Sequence, residues 1–490
     1  AHWEIQGWMI LILGWVFVPF YTRSMVYTMP EFLERRYNPQ SRTILSVISL
    51  VSYVLTKVAV TVYAGGLVFQ QVFGIKELWG IDFFWIAAIG LVVLTALYTI
   101  FGGMKSVLYT SVLQTPILLL GSLIILVLGF KELGGWDEMM RVCGAVTVND
   151  YGDTMTNLIR SNDDANFPWL GALIGSAIIG FWYWCTDQFI VQRVLSGKNE
   201  MEARRGTIFG AYLKLLPVFL FLIPGMIAFA LHQKYIGAGG EGFLPMLANG
   251  TANADAAFPT LVAKLLPAGV KGLVVCGILA ALMSSLASLF NSSAMLFTID
   301  FYKRFKPETP EKKLVGIGQI ATIVIVVLGI LWIPIMRSVG DVLYTYLQDV
   351  QSVLAPGIAA AFLLGICWKR TSAQGGMWGL ISGMVIGLTR LGAKVYYSNA
   401  GEVADSTFKY LFYDMNWLFF CGWMFLFCII VVIVVSLATE APTAEKIQGL
   451  VFGTATKEQK AATRASWNHW DIIHTVIILA ITGAFYWYFW

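Results

Sequence analysis

Three observations predict an all-α polytopic membrane protein. Of the 490 residues, 58% are hydrophobic and 13% charged, with a mean hydropathy of +0.71; no soluble domain needs that much apolar surface. The apolar residues collect into runs of about 20 or more, the length that crosses a hydrocarbon core. Basic residues divide unevenly between alternate connections of these runs, as they do when one set faces the cytoplasm.

Twelve runs qualify, at roughly 3–22, 43–72, 83–101, 106–130, 168–190, 207–231, 269–299, 314–336, 341–366, 374–396, 416–437 and 471–489. Several exceed one bilayer thickness, and tilt or breaks absorb the excess. Taken alternately, one set of connections holds Arg23, Arg35, Arg36 and Arg42; Lys105; the clusters from Arg193 to Arg205 and from Lys303 to Lys313; Lys369 and Arg370; and Lys446 to Arg464. The other set holds Lys76, Lys131, Arg141, Arg160, Lys234, Arg337 and Lys409. The first set is therefore expected to be cytoplasmic and the carboxyl terminus outside. Residues 131–167 and 232–268 are the long outer connections, suited to short lid helices, and 438–470 is an inner one. Asn249-Gly-Thr251 is a glycosylation sequon in an outer loop, a pattern that also arises by chance. No soluble domain or low-complexity linker interrupts residues 1–490, which read as one membrane body.

Polar residues inside apolar runs mark the working parts, because a charge at the bilayer centre costs roughly 2.5 to 3.5 kcal/mol unless it faces protein or water. The stretch Ser176 to Arg193, SAIIGFWYWCTDQFIVQR, carries Gly180, four aromatics or near neighbours of them, then Thr186, Asp187 and Gln188. It is expected to line a cavity, with a helix interruption near Gly180 freeing backbone groups for a ligand; an interfacial aromatic belt is the plainer alternative. A second island runs from Ala280 to Ser293 and includes Ala281, Ser284, Ser285 and Ser288. Serines in a membrane helix often only pack or cap their own carbonyls, yet paired hydroxyls beside a carbonyl also suit a hard cation. Lys214 lies too deep in its run to reach the surface comfortably. It is either one half of an internal ion pair, with Asp187 or Glu4, or a donor to substrate hydroxyls. Gln348 and Gln351 pose the same choice, since a primary amide both donates and accepts. Lys57 reads as structural and Arg390 as a cavity or packing residue.

Some functions are disfavoured by what is missing. No phosphate-loop, zinc-protease or nucleophile-elbow pattern occurs, and the four histidines are scattered, so ATP-driven and enzymatic readings are poor. The six cysteines form no close pair. The net charge of +4 comes from the loop asymmetry and suggests no nucleic-acid partner; membrane lipid is the expected surrounding.

Six stretches carry a resemblance along almost the whole chain: TMPEFLERRY from Thr28, ALYTIFGG from Ala96, WYWCTDQ from Trp182, YLKL from Tyr212, MSSLAS from Met283 and FLLGICWKR from Phe362. In this order they resemble the sodium/solute symporters, and within them the sodium-glucose cotransporters. The resemblance implies a LeuT-like inverted-repeat transporter with broken helices, carrying a sugar with Na+ across the plasma membrane by alternating access. It makes Tyr183 an inner aromatic gate stacking on the sugar, with Trp184 beside it. Glu4, Lys214 and Gln348 become sugar ligands. Ala281 by its carbonyl and Ser284 and Ser285 by their hydroxyls become the sodium site, and Trp3 and Tyr344 belong to the outer gate. A sodium-coupled carrier of inositol or another polyol, or a sugar-gated ion pathway or sensor, are the alternatives.

The chain departs from the family pattern in three places. About twelve helices are visible of an expected fourteen, and Ala1-His2-Trp3-Glu4 resembles the end of the first core helix, so the first one to two helices are expected to be missing. Ser111 stands where some members have an acid for a further cation. Gly180 occupies a position where a polar sugar ligand is usual.

Overall fold

In a computed structural model, residues 4–247, 250–339, 342–400 and 404–489 are described. Nine helices among them are long and apolar enough to cross a membrane, or ten if a pair bent by 73°, Gly7–Ser24 (α1) and Met29–Arg36 (α2), counts as one span. The bend follows from sequence. Met25 adopts a left-handed conformation that closes α1, and Thr28 then caps α2 by accepting from Glu31 N–H, with Pro30 in the first turn.

The remaining long helices are Pro39–Phe73 (α3), Phe83–Leu133 (α4), Trp169–Thr186 (α6), Glu200–Gly237 (α8), Ala268–Phe305 (α10), Glu311–Val339 (α11), Leu343–Cys367 (α12), Ala373–Asn399 (α13), Trp417–Ala438 (α14) and His469–Tyr488 (α16). Shorter helices lie between them: Trp136–Gly144 (α5), Gln188–Leu195 (α7), Ala257–Leu265 (α9) and Lys457–Ala465 (α15). Of these, α5 and α9 fall in the connections 131–167 and 232–268, where short helices were expected. A two-residue hairpin, Glu77–Leu78 with Ile81–Asp82, joins α3 to α4.

Widened π-type turns interrupt several spans, at Tyr53–Val58 in α3, Val218–Leu222 in α8 and Leu296–Tyr302 in α10. The one in α8 directly follows Pro217, which removes a helical donor. These spans of 35 and 38 residues are longer than the roughly 20 residues that cross a core about 30 Å thick.

Two expectations are corrected. The runs at 83–101 and 106–130 are not divided by a break in helical hydrogen bonding, which runs from Phe83 to Leu133, 51 residues; the helix is not a straight rod, because Leu91 and Leu282 both pack on Gly65 while Ser111 meets Ser284. Gly102 and Gly103 permit a turn there, but no proline between the runs removes a donor and forces one. The second concerns where the Ser176–Arg193 stretch breaks: a widened π-type turn, Phe181–Thr186, directly follows Gly180, near where an interruption is expected, but Gly180 itself is helical, at φ −62° and ψ −40°, and the chain leaves the helix only at Asp187, at φ −80° and ψ 126°.

Candidate solute and sodium site

Backbone proximity between α1 and α8 builds the first cluster. A Cβ on Gly7 would lie 2.9 Å from the Ala211 carbonyl, and one on Gly14 would run into the Thr207 side chain. Only glycine allows that approach, and it brings the residue one turn before Gly7 to the residue one turn after Ala211. Glu4 Oε2 accordingly meets Lys214 Nζ at 2.7 Å, so of the two partners open to Lys214 the structure selects Glu4. Lys214 Nζ also lies 5.6 Å from the centre of the Trp184 ring, within cation–π range.

Helix α12 completes this cluster. The Tyr344 hydroxyl donates to Glu4 Oε1 at 3.4 Å, and Gln348, one turn on and on the same face, lies beside that hydroxyl. Gln348 is buried, and its Oε1 has no hydrogen-bond partner among the described residues. An orphaned amide oxygen is costly in an apolar helix and marks the place a donor from a ligand would occupy. The start of α12 is fixed from the connection 232–268, where Asp255 accepts from Leu343 N–H at 3.1 and 3.2 Å. Burial holds that carboxyl above its usual range, against the opposing effect of the Leu343 N–H.

The aromatic stretch lies between the cluster and the helix break. Tyr183 and Trp184 meet edge to face at 5.1 Å, as Tyr183 and Trp182 do at 6.2 Å. Behind Tyr183 is a pair the sequence did not reveal. Asp187 caps α7 by accepting from Phe189 N–H at 3.0 Å, takes the Tyr53 hydroxyl at 2.8 Å and forms an ion pair with Lys57. Lys57 is in turn enclosed by the rings of Phe189, Tyr53 and Tyr183 at 4.2, 4.7 and 5.1 Å. The carboxylate that pointed to a cavity is thus a buried helix cap, and Lys57 has the structural role expected of it. Arg390 is a packing residue: it donates to the Leu411 and Met415 carbonyls at 3.1 and 2.6 Å and lies over Phe420.

Sequence reasoning also missed Gln6. The space that a side chain on Gly180 would fill is occupied by its amide, with Gln6 Oε1 2.5 Å from the position of a Cβ, while its Nε2 donates to Ser176 O at 2.9 Å. The missing polar group at Gly180 is therefore matched by one reaching across from the neighbouring segment. The only available signal was an amide two residues from Glu4, at the edge of an apolar run, where polar residues are ordinary.

Ala281, Ser284 and Ser285 lie on one face of α10, at spacings of three and four residues that align oxygens along a helix. Their oxygen chemistry fits a hard cation such as sodium. The Ser284 hydroxyl is 2.6 Å from that of Ser111; donating there would leave its lone pairs for a cation. One turn further, the Arg193 guanidinium binds the Ser288 hydroxyl and donates to the Ser284 carbonyl at 3.4 Å. Trp3, assigned to the outer gate, and Asn249 of the sequon lie outside the described residues.

A family model described as the sodium:solute symporter family matches residues 3–383. The sodium/mannose cotransporter SLC5A10 of Bos taurus is 35% identical, the match covering 98% of this chain and 83% of that protein. Sodium/myo-inositol cotransporter 2 of Homo sapiens is 35% identical, over 93% and 68%, and sodium/glucose cotransporter 1 of Ovis aries 37% identical, over 88% and 67%. Among solved structures, a substrate-bound, outward-open Na+-coupled sialic acid symporter superposes with a TM-score of 0.68 at 20% identity, over 90% of this chain and 84% of that one. This likeness shows the fold, the LeuT-like broken-helix arrangement that the motifs imply.

Proposed function

Because the chain belongs to the sodium:solute symporter family, with Na+ as its coupling ion, we propose that its solute is a hexose-type sugar, carried across the plasma membrane by alternating access. The observation that carries this reading is the Glu4–Lys214 pair with Gln348 beside it. A carboxylate, an ammonium and an amide with an unused oxygen, next to the face of Trp184, match a ring that bears hydroxyls all round. The glucose and mannose cotransporters among the relatives support it. An equally similar myo-inositol cotransporter favours a polyol as the second reading, since a cyclic polyol presents the same hydroxyls. The clusters from Arg193 to Arg205, from Lys303 to Lys313, at Lys369 and Arg370, and from Lys446 to Arg464, which share one side, support an outer carboxyl terminus. The role is transport, not catalysis.

Counterflow of labelled glucose, galactose, mannose and myo-inositol in sodium-loaded proteoliposomes tests the reading. Exchange of a hexose supports it, exchange of inositol alone selects the polyol, and sugar-evoked current without net uptake indicates a sensor. In the same assay Lys214→Ala and Gln348→Ala should each weaken sugar binding by about 1–3 kcal/mol, or roughly five- to 150-fold, because hydroxyls of the bound sugar lose a charged or amide partner. Unchanged affinity in Lys214→Ala would exclude it as a ligand.

Tyr183 is the proposed inner gate, with its ring held between those of Trp182 and Trp184 and facing Lys57. Tyr183→Ala should speed release of bound sugar, while Tyr183→Phe, which keeps the ring, should retain it for nearly as long as the parent. Equal release rates for the two variants would reject the gate.

A further inference from the structure

Gln348 is followed in α12 by Asp349, about 100° further round the helix, so the two side chains serve different neighbours. Asp349 faces α13, where its Oδ2 forms an ion pair with Lys394. Both side chains are largely enclosed, at 12% and 18% exposure. Arg390, one turn earlier in α13, also attracts the Asp349 carboxylate.

The pair extends a seam along which α12 and α13 touch backbone to backbone. A Cβ on Gly357 would lie 3.0 Å from Gly383 Cα, and Gly387 is pressed still closer to the Val353 carbonyl. Residues 357, 353 and 349 of α12 thus face 383, 387 and 394 of the antiparallel α13. These rungs, Gly357 against Gly383 and Gly387 against Val353, set how closely the two helices approach, and the contact of Asp349 with Lys394 adds a polar link between them. The ion pair is the directional rung, and it lies at the level of Gln348.

On this geometry we infer that Asp349 and Lys394 are positioning residues for solute recognition: by fixing the rotation of α12 against α13 they aim the Gln348 amide into the solute site. The inference rests on the reading of Gln348 as a solute ligand. It predicts that losing the pair damages solute affinity through Gln348 alone, leaving sodium binding on α10 intact.

The test compares Asp349→Asn, Lys394→Met and Lys394→Arg, each with and without Gln348→Ala, by sugar KM, maximal rate and half-saturating sodium in proteoliposomes. Asp349→Asn should raise sugar KM about tenfold, with maximal rate per inserted protein and sodium requirement near the parent values. Lys394→Met should raise KM by a smaller factor, because Arg390 still faces the carboxylate, and Lys394→Arg should restore it. In the Gln348→Ala background Asp349→Asn should add nothing. An equal rise with and without Gln348, or a loss in maximal rate at unchanged KM, overturns the positioning role while leaving Gln348 as a ligand. If Gln348→Ala leaves KM unchanged, the ligand reading and this inference fail together. Should Asp349→Asn fail to insert, the two Lys394 variants decide: equal KM values for Met and Arg overturn the inference.

Discussion

Lys57→Met is expected to destabilise the folded protein by about 3–5 kcal/mol, the cost of removing one partner from a buried ion pair. The Asp187 side chain is 2% exposed. Its hydrogen bonds from Tyr53 and Phe189 N–H favour the charged form but do not neutralise it. Without Lys57 the carboxylate either keeps its charge in an aromatic enclosure or takes up a proton and weakens the cap of α7. A methionine fills the volume among the rings of Phe189, Tyr53 and Tyr183, so packing loss adds little. Lys57→Met/Asp187→Asn should recover a large part of the loss, because a neutral pair carries no uncompensated charge. Thermal unfolding of the purified protein in detergent measures both; a midpoint unmoved in Lys57→Met would show that Asp187 does not need the cation.

This pair shows where the sequence stops being legible. Apolar runs reveal helices because membrane crossing constrains every residue in a run, and most of the spans follow from that alone. The union of two runs in α4 does not, because Gly102-Gly103 allows a turn without dictating one. In the site, Lys214, Gln348 and the serines of α10 stand out as polar groups in apolar surroundings. Their partners do not. Lys57 and Asp187 are 130 residues apart and Asp349 and Lys394 are 45, and each distance is closed by helix packing that no local pattern encodes. Gln6 is hidden for a different reason: its meaning depends on the space left by Gly180 on another helix. The motif resemblance pointed to the serines of α10 as the proposed sodium ligands, whereas the contact of Ser284 with Ser111 and the guanidinium at Ser288 required coordinates.

Those two contacts bear on stoichiometry: one sodium ion, not two, is expected to accompany each solute molecule. The proposed cation cluster is Ala281, Ser284 and Ser285. A second ion would need an anionic ligand at Ser111, but a serine there is neutral, and it already pairs with Ser284. Ala287 supplies no hydroxyl between Ser285 and Ser288, and the Ser288 hydroxyl is already taken by Arg193. No group here offsets the desolvation of a second ion. A tenfold sodium gradient supplies about 1.4 kcal/mol and 100 mV about 2.3 kcal/mol per charge. One ion therefore limits solute accumulation to several hundredfold, and two would square that limit. Reversal potentials measured against solute and sodium gradients in proteoliposomes give the ratio directly, and a value near two overturns the expectation. Ser285→Ala should raise the sodium concentration for half-maximal uptake yet leave solute binding intact at saturating sodium, since Ser285 is not among the residues that contact Glu4, Lys214 or Gln348.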